Sequence, residues 1–130
     1  MNKPKWKKIN TWESVVYAKM QRIRLKRKQQ LHWIQILVTH FKTTDLNLKL
    51  NDDVDCYGYY DEPEYRKLGV IHLDSNSSLG TLCHEFAHHL CWTRYCECKH
   101  NHLFILCLND VYRVVNIELN NKKNKEGDWL

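Results

Sequence analysis

The sequence predicts an α+β domain whose elements run helix, three strands, helix, helix. Three observations carry that prediction. Apolar residues recur at helical spacing through the first third, short strand-like runs with turn residues between them fill the middle, and helical spacing returns after residue 78. A chain of 130 residues is long enough for one hydrophobic core and too short for two.

Residues 1–11 read as a basic polar tail. Trp12, Val15, Val16, Met20 and Ile23 then follow a helical period. The run to Phe41, free of Gly and Pro, predicts one long N-terminal helix or two shorter ones with a break near Gln29 and Gln30. Leu46, Leu48 and Leu50 alternate with Asn47 and Lys49, a period-2 strand bounded by Asn51, Asp52 and Asp53. Cys56 to Tyr60 and Leu68 to Leu73 are two further strands, expected to form a hairpin around Asp61-Glu62-Pro63-Glu64. The run Asp74 to Ser78 offers helix N-caps. Leu79, Leu82, Cys83, Phe86 and Leu90 mark the helix that follows, expected to lose order around Thr93 to Lys99. A C-terminal helix should run from about Leu103 to Leu119, so the domain spans residues 12–119. Residues 120–130 are expected to be a mobile polar tail, from which Trp129 could dock.

A hydrophobic fraction of 43% with 27% charged residues is ordinary globular usage and excludes a wholly disordered or fibrous chain. No window approaches the roughly 18 apolar residues of a membrane span, and the N-terminus has no apolar signal region. The expectation is a soluble, intracellular protein of a reducing, cytoplasmic compartment with no membrane partner. Of six cysteines, Cys83, Cys91, Cys96 and Cys98 fall in one short stretch with His84, His88 and His89, and with His100 and His102 just beyond. That density points to a metal before it points to disulfides. Cys83, Cys91 and Cys107 occupy apolar helical positions and should be buried thiols, whereas Cys96-Glu97-Cys98 lacks the two-residue spacer of a structural zinc pair. Charge is distributed unevenly. Residues 1–28 carry ten basic side chains against Glu13, a net +9 in a chain of +5 overall, and such a segment attracts polyanions, DNA among them. Asp52 to Glu64 carries six carboxylates and no base.

His84-Glu85-Phe86-Ala87-His88 matches H-E-x-x-H. One helical turn separates the two histidines, so both imidazoles can bind one Zn²⁺, and the intervening Glu85 sits beside that ion, placed to act as a base. At this composition the pattern is expected by chance only about 0.03 times, so coincidence is a poor account of it. A catalytic zinc generally takes three protein ligands. Candidates for the third are His100, which is preferred, then His102, Glu97, Cys96 and Cys98. His89 points about 100° away from the metal side, as a core residue or as support for the ligands.

Thr81 to Asp110, read as TLCHEFAHHLCWTRYCECKHNHLFILCLND, resembles the active-site region of SprT-like zinc metalloproteases. In that family H-E-x-x-H is followed by H-G-x-x-F or H-G-x-x-W at the start of the next helix. His100-Asn101-His102-Leu103-Phe104 aligns with the second block. Asn101 takes the Gly place, where an Asn tolerates a left-handed backbone. The resemblance covers about 30 residues and lacks the downstream four-Cys ribbon of some relatives. It implies that His84, His88 and His100 bind zinc, that Glu85 is the general base, and that residues 12–119 form a small zincin-like domain. It also implies that Gly69 to Leu73 is the sheet edge beside the cleft, where an extended peptide could add as a strand, with His72 either lining that cleft or facing solvent.

The expected function is therefore a zinc metalloendopeptidase acting on a protein or peptide substrate, which the +9 segment suggests is DNA-associated. Tyr95, His102, Tyr112 and Arg113 are candidates to stabilise the oxyanion. The alternatives are a DNA-binding regulator or scaffold with a non-proteolytic zinc domain, and an interaction protein whose zinc is closed by a cysteine.

Overall fold

A computed structural model describes residues 18–50, 58–64, 67–97 and 99–126. The tail expected over residues 1–11, the helical positions Trp12, Val15 and Val16, the cluster Asn51 to Asp53, Cys56, Cys98 and Trp129 all lie outside the described residues.

A short helical stretch over residues 18–21 gives way to extended chain. The Leu25 N–H donates to the Ser77 carbonyl at 3.1 Å and the Leu79 N–H to the Ile23 carbonyl at 2.8 Å, so residues 23–25 pair with residues 77–79, where the helix bearing the histidines begins. This pairing puts the helix break there and not at Gln29 and Gln30. Helix α1 (Arg27–Phe41) instead carries those glutamines in its first turn: Gln29 Oε1 accepts from the N–H of the N-cap Lys26 at 2.8 Å. Gln30 is fully buried and its Nε2 donates to the Asp74 carbonyl at 3.1 Å. Trp33, Ile34 and Leu37 form the buried face of α1.

The strands are β1 (Leu46–Leu50), β2 (Gly58–Asp61) and β3 (Gly69–Leu73), in a mixed sheet ordered β1-β3-β2. The predicted hairpin is present, with β2 antiparallel to β3, while β1 runs parallel to β3. One expectation is overturned: β3 is the central strand, because both of its sides are hydrogen-bonded, and β2 is the edge toward the cleft. Ile71 and Leu73 accordingly face the core with no exposure. His72 points to the opposite face, where Nε2 lies 3.0 Å from Asp61 Oδ2 and the ring stacks on Tyr59 at 4.0 Å. At 8% exposure it neither faces open solvent nor lines the cleft. At the other edge of the sheet, Arg27 Nη2 donates to the Leu48 carbonyl of β1 at 2.6 Å.

Helix α2 (Leu79–Tyr95) packs across β2 and β3, and helix α3 (His102–Glu126) packs along α2. Ser78 caps α2 by accepting from the Thr81 N–H at 3.1 Å. The helix holds through Tyr95 and stops at Cys96, whose left-handed backbone (φ 55°, ψ 41°) lets its N–H bond the Trp92 carbonyl at 2.8 Å. Helix α3 continues through residues 120–126, which were expected to be a mobile tail. Between the layers lie Trp33, Phe86, Leu90, Phe104, Val111 and Tyr112, each worth roughly 1.5 to 3 kcal/mol of burial. Cys83, Cys91 and Cys107 are buried and stand outside any disulfide, as predicted. No helix among the described residues is long and apolar enough to cross a membrane.

Candidate metal centre

The first two ligand candidates follow from helix geometry. With 3.6 residues per turn, His84 and His88 project from the same side of α2, their ring centroids 5.1 Å apart. Both of these rings belong to α2 itself, but His100 must be delivered by the segment linking α2 to α3. It arrives with its Nε2 3.0 Å from His84 Nε2 and 3.1 Å from His88 Nε2. Two nitrogens bound tetrahedrally to one ion at about 2.0 to 2.1 Å would stand about 3.3 Å apart. The observed separations are close to that edge length, so these three histidines can hold a metal ion.

The protonation states agree with the geometry. Burial, with His100 adding its charge, lowers His84 to about 4. Burial also lowers His100. Neutral imidazole is the form that coordinates metal. Beside them Glu85 is buried, at 7% exposure, and desolvation pushes its carboxyl up to about 7.

The rings line a cleft of about 370 Å³ with Glu85 and with Gly58, Tyr59 and Tyr60 of β2. Gly58 is required by close packing. A Cβ there would fall 3.0 Å from the His72 carbonyl oxygen and 2.9 Å from the Leu73 side chain. A larger cavity of about 640 Å³ lies around Lys49, Asp61, Glu64, Lys67 and His72 and contains none of the three histidines.

Other candidates resolve differently. Cys96, Glu97 and His102 stand outside the metal group, which among the described residues has three members. Glu97 instead accepts a hydrogen bond from Asn101 Nδ2. Asn101 does not use the left-handed backbone expected for the Gly place, since Lys42 and Cys96 are the positive-φ non-glycine residues among those described. It is the N-cap of α3: its Oδ1 accepts from the N–H groups of Leu103 at 3.1 Å and Phe104 at 3.3 Å. His89 is fully buried. Its Nε2 must donate to the Thr44 carbonyl at 2.9 Å, so its Nδ1 accepts from the Tyr60 hydroxyl at 2.7 Å. Of the expected oxyanion donors, Tyr95, His102, Tyr112 and Arg113, none lines the cleft. Tyr59 and Tyr60 do, and the sequence reading missed them. The available signal was their place on the strand ahead of the helix, which becomes informative only once β2 is known to be the edge. Comparison with protein-family models, with curated proteins and with solved structures finds no match to this chain.

Proposed function

We propose that this chain is a zinc metallopeptidase of the SprT-like kind. The observation that supports it best is the convergence of the His84, His88 and His100 Nε2 atoms beside the buried Glu85 in an open cleft. Zinc bound there would bring the pKa of a water molecule to about 7 and polarise a substrate carbonyl. Glu85, with its carboxyl raised to about 7, is matched to take a proton from water near neutral pH and to deliver it to the departing amine. Edge strand β2 offers main-chain groups to an extended peptide, and Tyr60, its hydroxyl committed to His89, forms part of the wall.

The proposed substrate class rests on charge. Lys19, Arg22, Arg24, Lys26 and Lys28 are exposed on the described part of the basic segment. Such a surface draws DNA, and proteins bound to DNA would be brought to the cleft.

Glu85→Gln should retain zinc while losing cleavage of a DNA-bound protein by at least about a thousandfold. DNA should accelerate the wild type in a salt-sensitive manner. Persistent turnover in Glu85→Gln would refute the assigned base. A wild type that binds zinc and DNA but cuts nothing would favour a regulator or scaffold.

A further inference from the structure

Three rings on two separate segments must be held at fixed tilts for their nitrogens to converge, and Phe104 meets all of them. Its ring stacks on His88 at 4.4 Å with 29° between planes, and meets His84 at 4.9 Å and His100 at 5.0 Å in steeper, edge-on geometry. Phe104 has no solvent exposure, whereas His100 is exposed and reaches the cluster from the segment before α3. The position of Phe104 is itself fixed locally. As N-cap, Asn101 accepts from the N–H of Phe104, and its own amide is held by Glu97. The residue that starts α3 therefore lies directly after His100 and sets where both His100 and Phe104 stand.

We propose that Phe104, seated by the Asn101–Glu97 pair, is the positioning residue of the three-histidine centre. It supplies a flat, immobile platform against which the imidazoles take their metal-binding orientations. A buried ring has few rotamers and packs with imidazoles through defined stacked and edge contacts, so ordering it before metal arrives removes freedom the ligands would otherwise lose on binding. The proposal rests on reading these histidines as a metal site and is independent of proteolysis.

The test measures Zn²⁺ affinity by competition with a chromophoric chelator, together with the visible absorption of the Co²⁺-loaded protein. Phe104→Leu keeps an apolar side chain but loses the flat face. It should weaken Zn²⁺ binding about tenfold to hundredfold, the range for groups that orient metal ligands, and alter the Co²⁺ bands. Phe104→Trp should restore affinity to within about threefold. Asn101→Ala should weaken binding several-fold, with Asn101→Ser recovering it through the retained cap. Leu108→Ala, one turn further along α3 and equally buried, should lower the melting temperature yet leave affinity within about twofold. Should circular dichroism show Phe104→Leu unfolded, the Asn101 pair decides by the same criterion. Wild-type affinity in Phe104→Leu, or an equal loss in Leu108→Ala, would overturn the platform while leaving the metal centre standing. A wild type without measurable affinity for Zn²⁺ or Co²⁺ would overturn the metal centre and the platform together.

Discussion

His84 and His88 stand on one turn of α2, whereas His100 is brought in by a short connection between a left-handed residue and a helix cap. In the helical half a continuous hydrogen-bonded ladder fixes the spacing, and one buried apolar face, Leu82, Phe86 and Leu90, fixes the rotation. In the connecting half three described residues each act through a separate local device. Cys96 stops α2, Asn101 starts α3, and Phe104 meets the rings from below the cap. The first half is ordered by propagation; the second depends on single contacts, each of which can be removed alone.

The comparison can be broken most sharply at the ligands. His88→Ala should weaken Zn²⁺ binding by about a thousandfold and His100→Ala by about a hundredfold, because the connecting segment must surrender more conformational freedom when its ring is held. Isothermal titration with equal losses for the two would show that the segment is already as rigid as the helix.

The helical half carries a cost that the connecting half does not. Glu85 ionises near 4.5 in an unfolded chain and near 7 when folded, so the folded state is progressively weakened as pH rises through that window, with the full effect above 7. At 1.36 kcal/mol per pH unit this amounts to about 3 kcal/mol. Metal-free Glu85→Gln should therefore exceed the wild type in stability by up to that amount at pH 8 and match it at pH 4. Urea unfolding at the two pH values checks this; coincident curves at pH 8 would mean that the carboxylate is not desolvated.

The smallest effect is expected at the left-handed residue. Cys96→Gly removes the Cβ crowding of φ 55° and should raise the melting free energy by about 0.5 to 1 kcal/mol, leaving Zn²⁺ affinity within about twofold. A drop in affinity would make Cys96 part of what positions His100.

Much of the centre was legible in residues 81–110 because helical spacing converts a written interval into a shared face. His84, His88 and Glu85 needed nothing beyond that, and the capping run before Leu79 marked where the helix begins. Asn101 was legible as a small polar residue ahead of α3, but its role was misread: a cap and a left-handed turn both select Asn, and only the hydrogen bonds to Leu103 and Phe104 separate them. The break in the first helical run was misplaced for a similar reason. Residues 23–25 keep helical spacing in sequence, yet the backbone bonds from Leu25 to Ser77 and from Leu79 to Ile23 hold them extended.

By itself the sequence determined an α+β chain, a helix bearing His84, Glu85 and His88, and a set of downstream candidates for a third partner. Those properties depend on neighbours a few residues apart, where backbone geometry alone relates position to direction. Tertiary structure decided that His100 and not Glu97 or His102 joins the pair, that β2 and not β3 borders the cleft, and that Phe104 lies against all three rings. Each of these is a meeting of segments far apart in the chain or separated by irregular backbone, and no periodicity in the sequence encodes which partners will be adjacent once the core has closed.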